Sequence, residues 1–208
     1  MSPQKLLVAT TSKKKLKELQ ELLADLPFDL LALSDLPSHQ EVVEDGKSFL
    51  ENATKKALGY ARQSGFLTLG EDSGLCCDAL EGAPGIYSAR FAGPQATDDA
   101  NNQKLLKLFE TIPDNCRGAH YESAVVIATP EKIVGQSEGS VHGFIHKKLE
   151  GNQGFGYDPL FYYPPFQMTF GCISPEKKHS VSHRFNALQK AKKLLMNYLQ
   201  TESSRAAS

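Results

Sequence analysis

Residues 48–74 read SFLENATKKALGYARQSGFLTLGEDSG. Ser48 and Glu51 have the S-x-x-E spacing of a capping box, in which hydroxyl and carboxylate each satisfy a backbone N–H left open at a helix start. Phe49, Ala53, Ala57 and Ala61 then line one helical face, and Gly65 supplies the stop. Residues 66–70 form a short apolar strand that runs into an acidic turn, Glu71-Asp72-Ser73-Gly74. A capped helix leading straight into a strand sets the pattern for the chain.

Outward from this stretch the same mixture continues. Upstream, residues 5–10 (KLLVAT) read as a buried strand. A helix follows with Leu16, Leu19, Leu22 and Leu23 at helical spacing, closed by Pro27. Residues 28–33 are a second strand. Downstream, residues 98–110 look helical, 121–128 and 132–137 look like paired strands, and 140–148 extend that sheet. Residues 151–165, rich in Gly, Pro and aromatics, read as an ordered loop. A last helix starts at Ser182 and carries Ala187, Leu188, Ala191, Leu194, Leu195 and Tyr198. Residues 201–208 are expected as a polar, frayed tail. With no repeat and no linker, residues 1–200 are expected to be one α/β domain with a mixed sheet.

Composition narrows the function classes. A chain of 208 residues with 40% hydrophobic and 23% charged residues can bury a core without disulfides or a structural metal. The formal charge of −1 gives no global attraction to nucleic acid or an anionic membrane, so anion binding must come from local clusters. The four cysteines, Cys76, Cys77, Cys116 and Cys172, lack C-x-x-C spacing and read as reduced thiols. No apolar run has signal-peptide or membrane-span length, so the expected location is the cytoplasm.

Four polar clusters carry the chemistry. Thr10-Thr11-Ser12-Lys13-Lys14-Lys15 sits at a strand-to-helix junction, where free N–H groups and the positive end of the dipole suit phosphate. It is not a Walker loop. Glu44 and Asp45 precede the capped helix and Glu71 and Asp72 follow the next strand; hard oxygens at strand ends suit Mg²⁺. In Gly154-Phe155-Gly156-Tyr157-Asp158-Pro159 the glycines permit close backbone approach. Phe155 there is either a stacking surface for a base or part of an inward-packed turn. Lys177-Lys178, expected at the start of the last helix, and Ser182-His183-Arg184 close the set, with Arg184 offering a planar fork of donors for carbonyl or phosphate oxygens. Phosphate donors, metal acids, a ring and base-edge donors together fit a nucleoside triphosphate.

From about residue 5 to 199 the chain resembles the inosine/xanthosine triphosphate pyrophosphatases, which remove non-standard purine nucleotides. The resemblance is carried by SFLENATKKA, EDSGLCCDALEGAPGIYSARFAG, GFGYDPLF and SHRFNAL, in that order. It implies an elongated α/β fold with a central mixed sheet flanked by helices and two lobes with an active-site cleft between them. It also implies a homodimer, dependence on Mg²⁺, and cleavage of ITP, dITP and XTP to monophosphate and pyrophosphate. Carried over by position, Thr10, Thr11, Ser12, Lys13, Lys14 and Lys15 would hold the triphosphate. Glu44 and Asp72 would serve the metal, and Asp72 would also be the general base. Ser73, Phe155, Gly156, Tyr157, Asp158, Lys178, His183 and Arg184 would complete nucleotide binding, with Lys15 assisting catalysis. Thr10-Thr11-Ser12 stands where the family usually has Thr-Gly-Asn, and Glu71-Asp72 where it has paired aspartates.

Overall fold

The structure, a computed structural model, describes residues 3–206. Its first strand, β1 (Gln4–Ala9), is the apolar run expected at the start of the chain. Leu6, Leu7 and Val8 have no exposed surface, so both faces of the strand are covered, as parallel sheets require. Helix α1 (Lys13–Leu23) carries the chain to β2 (Phe28–Ala32), and α2 (Phe49–Ser64) carries it to β3 (Leu67–Cys77). Both β2 and β3 pair in parallel with β1, in register Leu6↔Leu30 and Leu6↔Leu67.

Helix α3 (Asp98–Phe109) follows, then β4 (Gly118–Ala128) and β5 (Ile133–Ile145). Two short antiparallel strands, β6 (Phe161–Tyr163) and β7 (Met168–Thr169), complete a seven-stranded mixed sheet in the order β2-β1-β3-β4-β5-β6-β7. A single-turn helix α4 (Pro175–His179) precedes the long α5 (His183–Ala206). The expected α/β class with a mixed central sheet and flanking helices is thus present. No helix among the described residues is long and apolar enough to cross a membrane.

Three local expectations change. The acidic residues 71–74 form no turn; they lie inside β3, which continues to Cys77. Extended backbone is tolerated there because the Glu71 and Asp72 carboxylates find buried cationic and amide partners instead of turning out to water. Lys177 and Lys178 belong to α4 rather than to the start of the last helix. The last helix extends through residues 201–206, expected as a frayed tail, while 207 and 208 lie outside the described residues.

The chain resolves into two units. The first contains the segments up to Asp72, Ser123–Gly139 and from Arg184 onward; the second contains Ser73–Glu122 and Ser140–His183. Because each is assembled from distant segments, no linker marks them in the sequence. In the first unit, Leu6 and Val8 pack with Leu19, Leu23, Leu69, Val125, Ile127 and the α5 residues Leu188 and Leu195. Leu7 and Ala9, alternate along β1, face Leu33 and Tyr60 instead. In the second unit, Leu75, Leu105, Phe109, Tyr121, Val141, Phe161 and Phe170 form a separate cluster.

The 48–74 stretch behaves nearly as its sequence dictates. The Ser48 hydroxyl accepts from Glu51 N–H at 3.1 Å, and Gly65 closes α2 with φ of 74°. The Glu51 carboxylate accepts from Lys47 N–H at 2.7 Å, one residue before the expected capping position. Gly70 lets α2 lie directly on β3: a Cβ there would stand 2.5 Å from the Ala53 carbonyl oxygen and 2.7 Å from the Ala57 nitrogen. That close approach sets α2 side chains against the acidic part of β3.

Candidate active site

In the first unit, α2, β3, α1 and α5 converge on Glu71 and Asp72. Asn52 and Lys56, four residues apart on α2, are 1% and 6% exposed, an unusual burial for a lysine. The Lys56 ammonium lies 2.8 Å from Glu44 Oε2 and 3.4 Å from Asp72 Oδ1. The Asn52 amide donates to Asp72 Oδ2 at 3.1 Å, and its carbonyl accepts from Gly46 N–H at 2.8 Å. Lys15 reaches in from α1, 3.1 Å from Glu71 Oε2 and 4.0 Å from Asp72 Oδ1.

Behind this group, Arg184 is buried on the first turn of α5. Its Nε donates to Glu71 Oε1 at 3.2 Å, its Nη2 lies 3.2 Å from the same oxygen, and its Nη1 bonds the Glu18 carboxylate. The Ser123 hydroxyl donates to Glu71 Oε1 at 3.0 Å. Carboxylates of Glu18, Glu71, Asp72 and Glu44 therefore alternate with the cations Arg184, Lys15 and Lys56.

Burial pushes the Asp72 carboxyl above its usual range; the charges of Lys56 and Lys15 pull the other way, and Glu71 and Glu44 add to the rise. For Lys56, burial works against the ammonium, but the charges of Asp72, Glu44 and Glu71 together carry it above the ordinary lysine value. Asp72 is thus a dry carboxylate of raised proton affinity held beside a firmly charged ammonium.

The expected phosphate segment lies at the start of α1. Ser12 is its N-cap, accepting from Lys15 N–H at 3.3 Å, and Thr10 Oγ1 accepts from Ser12 N–H at 3.2 Å. Thr11, Lys13 and Lys14 are exposed, while the Lys15 side chain turns onto the carboxylates.

In the second unit, the 154–158 loop is tied down by its own Asp158. That carboxylate accepts from Phe155 N–H at 2.8 Å and from the Lys178 ammonium at 2.6 Å, with both charges almost wholly buried. The Lys178 ammonium lies 4.8 Å from the centre of the half-buried Phe155 ring, a cation–π distance. Gly156 N–H donates to Asp98 at 3.0 Å, and Asn102 donates to the Gly156 carbonyl at 2.9 Å, so α3 braces the loop. Tyr157 is buried and donates to the Ser88 carbonyl at 2.8 Å. His183 is also buried and stacks on Tyr121, with ring centres 4.7 Å apart and planes 12° apart. Ser73 is half-buried on β3.

The structure brings Glu44, Asp72, Lys15 and Arg184 together in one unit, and Phe155, Gly156, Tyr157, Asp158 and Lys178 in the other. Sequence reasoning missed Asn52, Lys56 and Glu18. Polar residues at 52 and 56 fall on the helix side that also carries Phe49, Ala53 and Tyr60, so the signal was two polar side chains on a buried face.

Mg²⁺ takes hard oxygen ligands, one or two of them protein carboxylates. Glu44 and Asp72 already converge on one cationic nitrogen, that of Lys56, and Glu44 remains partly open to solvent. This donor set fits the ion.

Comparison with known proteins gives the family of the chain. A profile of the Ham1 family matches residues 6–194. The dITP/XTP pyrophosphatase of Desulforamulus reducens is 49% identical over 191 residues, covering 92% of this chain and 95% of that protein. The dITP/XTP pyrophosphatase of Geobacter sulfurreducens is 45% identical over 184 residues, covering 88% and 92%. The solved structure of a HAM1 protein from Coxiella burnetii superposes with a TM-score of 0.85 at 35% identity, covering 93% of this chain and 99% of that one. With a family profile spanning nearly the whole chain and relatives this similar end to end, the chain belongs to the Ham1 family.

Proposed function

We propose that the chain is a Mg²⁺-dependent pyrophosphatase that cleaves ITP, dITP and XTP to nucleoside monophosphate and pyrophosphate. The names of its near-full-length relatives support the substrate class. The observation that carries the reading is Asp72: a buried carboxylate of raised proton affinity, oriented by Asn52 and flanked by Lys15 and Lys56.

In this reading Asp72 holds a water and accepts its proton as the oxygen attacks the α-phosphorus. The bond from that phosphorus to the oxygen bridging it to the β-phosphorus breaks, and pyrophosphate leaves. Its orientation by the Asn52 amide suits Asp72 to this role, because a base must be held within hydrogen-bond reach of the proton it takes. Lys15 and Lys56 oppose the developing negative charge from fixed positions. Mg²⁺ bound by Glu44 and Asp72 would neutralise phosphate charge and stabilise the leaving pyrophosphate. The segment Thr10 to Lys15, which leads into α1, is the proposed triphosphate contact, and Ser73, Phe155, Gly156, Lys178 and His183 the proposed nucleoside contacts. Tyr157, Asp158 and Arg184 contribute by holding their neighbours in register. The enzyme is read as a cytoplasmic homodimer acting on free nucleotides, not on nucleic acid or membrane.

Base choice has a physical form. Inosine and xanthosine present a 6-keto acceptor where adenine presents an amino donor. A buried donor left unpaired costs ~1–3 kcal/mol, and a site built to pair rejects the wrong group strongly. Product analysis with ITP, XTP, dITP, ATP and GTP, with and without Mg²⁺, tests the proposal. Monophosphate and pyrophosphate from ITP, dITP and XTP, lost without metal, are expected. Equal turnover of ATP overturns the base assignment, and binding of ITP without turnover overturns the enzymatic one.

A further inference from the structure

Alternation along the strands of the second unit sorts side chains between two faces. On β3, Leu75 and Cys77 enter the apolar cluster and Cys76 faces the other way. On β4, Ala119 and Tyr121 enter it, leaving His120 and Glu122 opposite; on β5, Val141 enters and His142 is exposed. These three strands are neighbours in the sheet. On the face away from the cluster, a ligand atom each from Cys76, His120 and Glu122 lie within 4.8 Å of one another. His120 Nε2 and Glu122 Oε2 are 4.0 Å apart. Cys76 is 8% exposed, whereas His120 and Glu122 are half-buried, so the group has a closed sulfur end and an open nitrogen–oxygen end.

We propose that Cys76, His120 and Glu122 form a Zn²⁺ site with three protein ligands and a fourth position left to solvent. The site shares no residue with the carboxylate–lysine group of the first unit. Thiolate, imidazole and carboxylate together suit zinc, which accepts sulfur, nitrogen and oxygen in four-coordinate geometry. The same set does not suit Mg²⁺, which prefers oxygen alone. Zinc–ligand distances of ~2.0–2.3 Å put the donors of a tetrahedral ion about 3.3–3.8 Å apart, so side-chain rotations of His120 and Glu122 closing the set by about 1 Å suffice. On binding, the Cys76 sulfur forms a bond to zinc and its proton passes to solvent. Spacing rules miss such a site because Cys76 lies on β3, distant in sequence from His120 and Glu122 on β4. His142, whose ring stacks on His120 with centres 5.2 Å apart, shields that ring without being required as a ligand.

The test uses the full chain freed of metal, titrated with Zn²⁺ and, as a spectroscopic probe, Co²⁺. One ion per chain and a thiolate-to-Co²⁺ charge-transfer band are expected. Cys76→Ser should abolish the band, and His120→Ala and Glu122→Gln, at half-exposed positions, should each weaken Zn²⁺ binding at least about tenfold. His142→Ala should leave binding near the parental value. Mg²⁺-dependent turnover of ITP should survive Cys76→Ser, so this proposal and the proposed activity fail separately. A band that persists in Cys76→Ser would assign the ion to Cys77, Cys116 or Cys172 and overturn the site, as would the absence of a band in the parent.

Discussion

Asn52 and Asp72 are joined by a buried hydrogen bond of 3.1 Å, although they come from different elements twenty residues apart. The other end of the Asn52 amide accepts from Gly46 N–H, so one side chain fastens the loop that carries Glu44 to the strand that carries Asp72. Removing it with Asn52→Ala leaves a buried N–H and a carboxylate oxygen short of partners. The expected cost is about 1–3 kcal/mol of stability. The Mg²⁺ concentration for half-maximal turnover should rise, because the two proposed metal carboxylates lose their common tether. Metal titration of the variant checks this; an unchanged Mg²⁺ dependence would separate Asn52 from the metal site.

Asp72→Asn should reduce turnover by about 10³-fold or more, since it removes the base and a metal carboxylate together. It should not cost stability at neutral pH. The Asp72 pKa is raised in the folded state, so the folded protein binds more protons than the unfolded chain above the ordinary Asp value of 3.8. Stability therefore falls as pH rises from there through the raised value, and the penalty is fully present above it. Asparagine carries no such penalty. Thermal melts at pH 7.5 should place the variant at or above the parent, with the difference shrinking toward pH 4. Marked destabilisation at neutral pH would mean that the bond with Lys56 outweighs the burial of the charge.

Lys56→Met tests the ammonium between Glu44 and Asp72. Without it the Asp72 pKa should climb further, because the largest influence lowering that value is gone. The acid limb of the rate profile should shift to higher pH, and activity near pH 7 should fall by about 10- to 100-fold, recovering partly as pH is raised. A uniform loss at all pH values would instead assign Lys56 to charge stabilisation alone.

Gly70→Ala probes how α2 is seated. The new Cβ would meet backbone atoms of Ala53 and Ala57, which cannot swing aside as side chains do. Overpacking of this kind costs about 1–3 kcal/mol. The displaced helix should also draw Asn52 and Lys56 from Asp72, so turnover should drop more than the loss of folded protein explains. Activity per folded molecule equal to the parent would show that the helix can shift without consequence.

How far the sequence was legible follows from what each feature depends on. The cap at Ser48, the stop at Gly65 and the first apolar strand are local, and they stand as read, the strand one residue earlier at Gln4–Ala9. Residues 71–74 were not legible as strand, because acidic side chains in a row ordinarily mark a solvated turn. Only partners distant in sequence, Lys15, Lys56 and Arg184, make extended burial tolerable there. Asn52 and Lys56 were missed for the same reason: on a helix they look like surface residues until the strand beneath them is known to carry carboxylates. The two units were invisible because the chain passes between them without a linker.

Arg184 shows the same dependence on context and admits a decisive substitution. From sequence its guanidinium is a candidate for reading a keto oxygen; in the structure it is 1% exposed and engaged by Glu71 and Glu18. Lysine keeps the charge but has no planar fork, so it cannot hold both carboxylates in the same geometry. If Arg184 positions Glu71, and through it Lys15, then Arg184→Lys should lower kcat for ITP, dITP and XTP by a common factor of about tenfold. The rejection of ATP should stay the same. If Arg184 reads the base, the loss should fall on the ratio of ITP to ATP turnover, because a site built around a specific donor loses discrimination when that donor goes. Measuring kcat/KM for ITP and ATP side by side in the variant distinguishes the two. The engagement of Nε and Nη2 with Glu71 and of Nη1 with Glu18 favours the common loss.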